Sequence, residues 1–293
     1  MNINWYPGHM VKTKREIEEN LKLVDLVIEI LDARIPLASQ NPEIAGLIGN
    51  KKRIILLNKC DLANDTENDK WVRFFASQNV PAILTDANSG KGIKEVIHQI
   101  HTLGQEEIAS MQAKGRIGKS IRVMVVGIPN VGKSSLINRI SKRNAQEVGN
   151  RPGVTKVKKW IRLDNQIELL DTPGVLWPKF ESQEVGLLLS FTGTIKDEIL
   201  EKTEVAFYLL QYLLQYEQTK LLARYDLTKE QIEEDKDKSQ NPSQQVMEVM
   251  NRIGRKRGAI MSGGKIDEEK IAGILIDDFR SGKIGKITLE KVK

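Results

Sequence analysis

The sequence predicts an α/β fold: a doubly wound, mostly parallel sheet followed by a small all-helical C-terminal domain. Three observations predict it. Short apolar, β-branched runs alternate with helix-period segments through residues 11–171. Beyond about residue 180 no comparable strand run returns, and apolar residues recur at helical spacing instead. The glycine-bearing and acidic motifs fall where predicted strands end, which is where open α/β sheets bind ligands.

Taken in order, VKTKREIEENLKL (11–23) has helical spacing and leads into the apolar run VDLVIEIL (24–31), short enough for a buried strand. NPEIAGLIGN (41–50) reads as a helix, RIILLN (53–58) as a strand, NDKWVRFFASQ (68–78) as a helix and VPAILT (80–85) as a strand. IKEVIHQIHTLG (93–104) is helical, IRVMVVG (121–127) is a strand and SSLINRISKR (134–143) is helical. KWIRL (159–163) and IELLD (167–171) close the series as strands. The composition then shifts to VAFYLLQYLLQYEQ (205–218), SQQVMEVMNRIGRKR (243–257) and DEEKIAGILIDDFRSG (267–282), all helical. The shift places a domain boundary near 177–182, giving domains 1–179 and 180–293. VAFYLLQYLLQY is apolar nearly all round and reads as the core of the second domain. The polar run EQIEEDKDKSQNPSQQ (230–245) reads as a helix end and loop within it, with a flexible linker as the alternative.

At 293 residues with 40% apolar content the chain can bury a sizeable core. No run reaches the length of a membrane span, and MNINWYPGHMVKTK lacks the apolar block of a secretory signal, so a cytoplasmic protein without membrane contact is expected. The single cysteine, Cys60, suits a reducing compartment and argues against a zinc site. Lys and Arg number 45 against 39 Asp and Glu, and the +6 excess favours an anionic partner. Basic residues cluster at 12–15, 114–122, 151–159 and 254–258, with an acidic counterweight at 230–237.

GIPNVGKS (127–134) follows a strand and opens a helix, the context that makes GxxxxGK[ST] a phosphate site. Gly127 and Gly132 let backbone N–H groups of Asn130, Val131 and Gly132 approach phosphate oxygens. Lys133 brings charge to the β and γ phosphates, and Ser134 and Ser135 begin the helix, with the Ser134 hydroxyl available to Mg²⁺. DTPG (171–174) ends a strand, so Asp171 faces the Mg²⁺ shell and the Gly174 N–H can approach a γ-phosphate. Between them Thr155, in RPGVTK, fits a switch threonine that completes the Mg²⁺ contacts when its loop orders.

NKCD (58–61) closes another strand and selects the base. The Asp61 carboxylate can accept from N1–H and N2–H₂ of guanine, whereas adenine offers neither donor. Asn58 ties this loop to the phosphate loop, Lys59 lays its stem along the purine, and Cys60 completes the turn. TDANSGKG (85–92), with Asp86 and Ala87, supplies a backbone N–H for guanine O6.

The guanine motif at 58 precedes the phosphate loop at 127, which precedes DTPG at 171, whereas in ordinary GTPases the phosphate loop comes first. On these residues the chain resembles the YlqF family of circularly permuted ribosome-biogenesis GTPases. The resemblance extends to WYPGHMVK (5–12), DARIP (32–36) and IGRKRGAIMSGGKID (253–267), and so covers essentially the whole chain. It implies a circularly permuted P-loop GTPase domain, GTP hydrolysis at a late step of large-subunit assembly, stimulation by the ribosomal particle, and ribosomal RNA and the subunit precursor as partners. GTP and GDP are the expected ligands, and a monomer in solution is the default.

The residue after DTPG is Val175, which cannot orient a water as the glutamine of many GTPases does. His9 resembles the histidine the family uses instead and is the candidate catalytic residue with Lys133; taken alone, His9 equally fits a turn cap or an RNA contact. Asn130 resembles the asparagine that holds K⁺ in some PNVGKS families, against a purely turn-stabilising role. Asp32 and Arg34 read as a salt bridge at the end of the first strand, with a partner contact by Pro36 and the following loop as the alternative. Arg255, Lys256, Arg257 and Lys265, interleaved with glycines, are the expected RNA contacts. A basic protein-binding switch is the other class the residues allow, and Asp61 argues against a kinase or ATPase.

Overall fold

The structure, a computed structural model, describes residues 10–49, 51–113, 120–144, 160–163, 166–172, 174, 182–195 and 197–292. Among them the chain forms two compact units: one is Asn4–Lys179 together with Thr288–Lys293, and the other contains Phe180–Ile287. The last six residues, which the sequence groups with the helical part, thus belong with the sheet. No described helix is long and apolar enough to cross a membrane.

The sheet unit runs α1 (Met10–Leu21), β1 (Leu26–Asp32), α2 (Pro42–Ile48), β2 (Lys52–Asn58), α3 (Asp65–Ser77), β3 (Ala82–Leu84), α4 (Ile93–Ala113), β4 (Ile121–Gly127), α5 (Lys133–Asn144), β5 (Trp160–Arg162) and β6 (Ile167–Asp171). The six strands lie in the order β3-β2-β1-β4-β6-β5. All neighbours are parallel except β5, which pairs antiparallel with β6 at the edge. The chain steps outward from β1 through β2 to β3, then returns across β1 to lay down β4. The switch point therefore lies between β1 and β4, the place where such sheets open a crevice for ligands. In register Ile30 stands beside Gly127, Asp32 beside Asn58 and Val125 beside Asp171, so the motif-bearing strand ends share the carboxyl end of the sheet.

Both sheet faces are buried, which explains why β1 reads as an unbroken apolar run with one Glu rather than as an alternation. Val27, Met124, Val126 and Leu170 pack against Ile17 and Leu21 of α1 and Ile44 and Ile48 of α2. Leu31, Ile55 and Leu57 pack against Trp71 and Phe75 of α3, with Val292 of the C-terminus added to the cluster. Asn41 and Asn64 start α2 and α3 by accepting backbone N–H bonds of the first turn. α4 lies so close to β4 that a Cβ on Gly104 would come within 2.1 Å of Ile121 Cδ1.

The second unit comprises α6 (Gln183–Phe191), α7 (Lys202–Tyr216), α8 (Gln218–Tyr225), α9 (Lys229–Asp237), α10 (Pro242–Lys256) and α11 (Glu268–Arg280). α7 is its centre: Val205, Leu209, Leu210 and Leu213 are buried, and it packs on α6, α8, α10 and α11. Bidentate ion pairs brace the periphery. Arg224 binds Asp278, Arg252 binds Asp235, and Arg280 binds Asp197 while also donating to the carbonyls of Ser190 and Phe191 at the end of α6. The polar stretch 230–245, expected as a helix end and loop, holds nearly the whole of α9 and the start of α10, because Ile232 and Asp235 are buried and Asn241 caps α10.

Candidate nucleotide-binding site

Three loops meet at Asn58. Its Nδ2 donates to the Val131 carbonyl at 2.8 Å, and its Oδ1 accepts from Ala87 N at 3.2 Å and Thr85 Oγ1 at 3.3 Å. The side chain is buried, so all these bonds form in a water-poor setting where losing one is costly. Gly132 makes this closeness possible: its φ is +94°, and a Cβ there would stand 2.3 Å from Asn58 Nδ2. Thr85 was not singled out by the sequence; its only signal is its place at the head of TDANSGKG.

The phosphate loop 127–134 joins β4 to the N-terminus of α5, where Ser134 and Ser135 are exposed on the first turn. The Lys133 side chain is buried and its ammonium donates to the carbonyl of Thr172, whose hydroxyl in turn donates to Val125 O at 2.6 Å. Those contacts bind the DTPG segment to the phosphate loop. Gly174 seals the join, since a Cβ on it would reach 3.1 Å from Pro129 N and Cα. Asn130 adopts φ +58°, a left-handed conformation that asparagine tolerates better than most residues. Asp171 ends β6 beside Val125. His9 and Thr155 lie outside the described residues.

The guanine loop is held at each position. Lys59 has φ +60°, unfavourable for lysine, and its ammonium pairs with Asp32 at 3.0 Å. Asp32 also binds Arg34 through two bonds of 2.9 and 2.8 Å, and both side chains are 2% exposed. Burial pushes the Asp32 carboxyl up, but Arg34 and Lys59 outweigh it and hold the group well below the usual carboxylate range. The salt bridge read between Asp32 and Arg34 is present, and the pairing to Lys59 is the part the sequence did not reveal. Cys60 turns its side chain into the core, while its carbonyl accepts from Asn68 Nδ2 of α3 at 3.0 Å. Asp61 is exposed, yet neighbouring protein displaces enough of its water, with Asp86 nearby, to raise its pKa. Two polar donors from a ligand would relieve that.

Asp86 is buried and uses its carboxylate to hold its own loop, accepting from Asn88 N at 2.8 Å and Ser89 N at 3.1 Å. Ala87 N–H, expected to meet guanine O6, is here engaged by Asn58. Arg139 of α5, missed in the sequence, ties this loop to the phosphate-loop helix by donating to Ser89 O at 2.8 Å. In the helical unit Arg255 and Lys265 are exposed without an ion-pair partner among the described residues. Lys256 binds the carboxylate and carbonyl of Asp226, and Arg257 donates to Arg224 O at 2.7 Å and lies over the Tyr225 ring.

A family profile described as a 50S ribosome-binding GTPase matches residues 122–252. The match begins on β4, so residues 58–61 lie ahead of it, as the rotated motif order requires. Ribosome biogenesis GTPase A of Bacillus cereus is 44% identical over 290 residues, 99% of this chain and 94% of that protein. The protein of the same name from Thermotoga maritima is 30% identical over 292 residues, again 99% and 94%. The GNP-bound crystal structure of YlqF from T. maritima superposes with a TM-score of 0.62 at 27% identity, covering 96% of this chain and 98% of that one. A GDP-bound structure of TM YlqF gives 0.63 at 26%, covering 94% and 99%. With its guanine motif on β2, its phosphate loop after β4 and its likeness to these relatives over nearly its whole length, the chain belongs to the ribosome biogenesis GTPase A family, and is a circularly permuted GTP hydrolase.

Proposed function

We propose that this GTPase acts in a late step of large ribosomal subunit assembly, binding the subunit precursor through ribosomal RNA and hydrolysing GTP faster on the particle than alone. The observation that carries the reading is the 44% identity to Ribosome biogenesis GTPase A across 99% of the chain. The clasp at Asn58 supports the nucleotide half of it. With the loops so joined, Asp61 selects guanine, Ala87 and Asn58 frame the base edge, and Lys59 covers its face. Val131, Gly132, Ser135 and Gly174 present backbone to the phosphates, and Lys133 exchanges the Thr172 carbonyl for phosphate oxygens. A carbonyl is a weaker partner for an ammonium than a phosphate, so that exchange is downhill.

Ser134 at the start of α5 and Asp171 at the end of β6 are hard oxygen donors of the kind that suits Mg²⁺. Thr155 is the third proposed ligand, and Asn130 the residue for a K⁺. When bound, such cations neutralise charge building on the phosphates. His9 orients the attacking water in this reading, because Val175 has no group to do so. Arg255, Lys256, Arg257 and Lys265 meet the RNA backbone, through contacts that weaken as salt rises. Two domains divide the work: residues 4–179 with the returning 288–293 handle the nucleotide, and 180–287 the RNA. A cytoplasmic monomer meeting its large partner in solution completes the proposal.

The test is GTP turnover by the purified protein in potassium buffer, with and without large ribosomal subunits. Turnover that climbs by orders of magnitude on adding subunits supports the reading, whereas an unchanged rate means that the partner is something else.

A further inference from the structure

Residues 288–292 leave the helical unit and run along the sheet unit, where polar contacts on two sides tie them to residues flanking the guanine loop. Glu290 accepts from the backbone N–H groups of Leu37 (2.7 Å) and Ala38 (3.0 Å), just beyond DARIP. Leu289 N donates to the Arg34 carbonyl at 2.8 Å. On the other flank, Asn64 N donates to Thr288 Oγ1 at 2.9 Å, and Trp71 Nε1 donates to the Glu290 carbonyl at 3.0 Å. Thr288 and Leu289 are buried, and Val292 packs into the apolar cluster that holds Cys60, Trp71 and Phe75.

Both flanks lead directly to residues 58–61. Arg34 fixes Asp32, which holds Lys59. Asn64 caps α3, and Asn68 on its first turn binds the Cys60 carbonyl. The loop needs such holding because Lys59 is in a left-handed conformation that costs energy unless its surroundings impose it.

We infer that residues 288–292 form a positioning strap for the guanine-recognition loop, with Glu290 as its clasp, so that the precision of base recognition depends on residues at the far end of the sequence from that loop. These contacts act through Arg34, Asn64 and α3 rather than on the nucleotide, and Glu290 is a positioning residue rather than a catalytic one. The inference rests on the proposed role of Asp61 in base selection.

The measurement compares GTP with ITP, whose base keeps N1–H but lacks the exocyclic amino group. Affinity for each is read by displacement of a fluorescent GDP from the full chain, alongside turnover at saturating GTP. Glu290→Ala, Glu290→Gln and a chain ending at Ile287 are compared with the parent and with Lys291→Ala, an exposed neighbour. The strap predicts that Glu290→Ala and the shortened chain bind GTP about tenfold more weakly, less than the roughly 100-fold that a misplacement of about 1 Å can cost. Their GTP-over-ITP preference shrinks while saturated turnover holds, Glu290→Gln keeps most of the preference because its amide oxygen still accepts an N–H, and Lys291→Ala matches the parent. Equal weakening for GTP and ITP, with preference unchanged, reduces the segment to a general stabiliser and overturns the inference; so does unaltered affinity. Asp61→Ala separates the two ideas: if it keeps the parent's GTP-over-ITP preference, the base-selection reading itself fails, and the strap with it.

Discussion

The side-chain amide of Asn58 donates to the carbonyl of Val131 at 2.8 Å, across 73 residues of chain. In an unpermuted GTPase the phosphate loop would come first in sequence; here β2 and its NKCD motif do, and the two still meet. Binding depends on where groups sit in space, so rewiring the connections leaves the clasp intact.

Gly132→Ala should damage this clasp without removing any ligand. The added Cβ would sit 2.3 Å from Asn58 Nδ2, on a residue whose φ of +94° already disfavours a side chain. Losing the buried amide's partner costs about 1–3 kcal/mol, so guanine-nucleotide affinity should fall by about tenfold or more. Titration calorimetry with GDP checks it, and parental affinity would mean that the loops find another way to join.

Asp32→Ala should destabilise the sheet unit strongly. It strips the Arg34 guanidinium, in a side chain only 2% exposed, of the carboxylate that accepts two of its hydrogen bonds, and breaking a buried ion pair by removing one member costs about 3–5 kcal/mol. The Asp32 carboxyl is held below its ordinary value of 3.8, so the stability it contributes is fully present above that pH and is lost as pH falls below it. Urea denaturation of the parent and the variant near neutral pH should show the full gap.

Glu29 works with the opposite sign. It is buried on β1 beside Gln40 and Asn41, and burial raises its pKa from 4.5 to about 7 even though Arg53 lies 3.2 Å away. The folded state favours the protonated acid, so the contribution is present below 4.5 and is lost as pH rises toward about 7. Glu29→Gln keeps the shape without the charge. Its melting temperature should exceed the parent's at about pH 8 and converge with it at about pH 5; parallel melting curves at both would refute the account.

Salt dependence of ribosomal RNA binding should rank the basic residues. Arg255→Ala and Lys265→Ala should each lower the slope of log K against log salt by about 1, the change expected when one cationic side chain no longer meets a phosphate. Lys256→Ala should change it less, because Asp226 already holds that ammonium in the unbound protein. Slopes equal to the parent's in all three variants would assign RNA binding to another surface.

Glu290→Ala carries a prediction of a different kind, since it tests whether residues 253 positions apart in the chain share one task. Its expected mark is a smaller preference for GTP over ITP at unchanged saturated turnover.

Much of the protein is decided by short stretches of sequence. The strand runs, the helix start at Asn41, and the motifs NKCD, GIPNVGKS and DTPG express local preferences: side-chain periodicity, capping and glycine's freedom at positive φ, whereas the start of α3 at Asn64 lies ahead of the 68–78 that spacing suggests. Their rotated order is visible by inspection, and the helical character of 205–218, 243–257 and 267–282 follows from spacing alone. What the sequence does not reveal are bonds between residues far apart, because nothing in their immediate neighbours marks them as partners. The fit of Asn58 against Val131, the pairing of Asp32 with Lys59, the turn of Cys60 into the core and the return of residues 288–292 to the sheet unit all arise from packing. Only the folded chain brings these groups within hydrogen-bond reach, where burial makes each contact count.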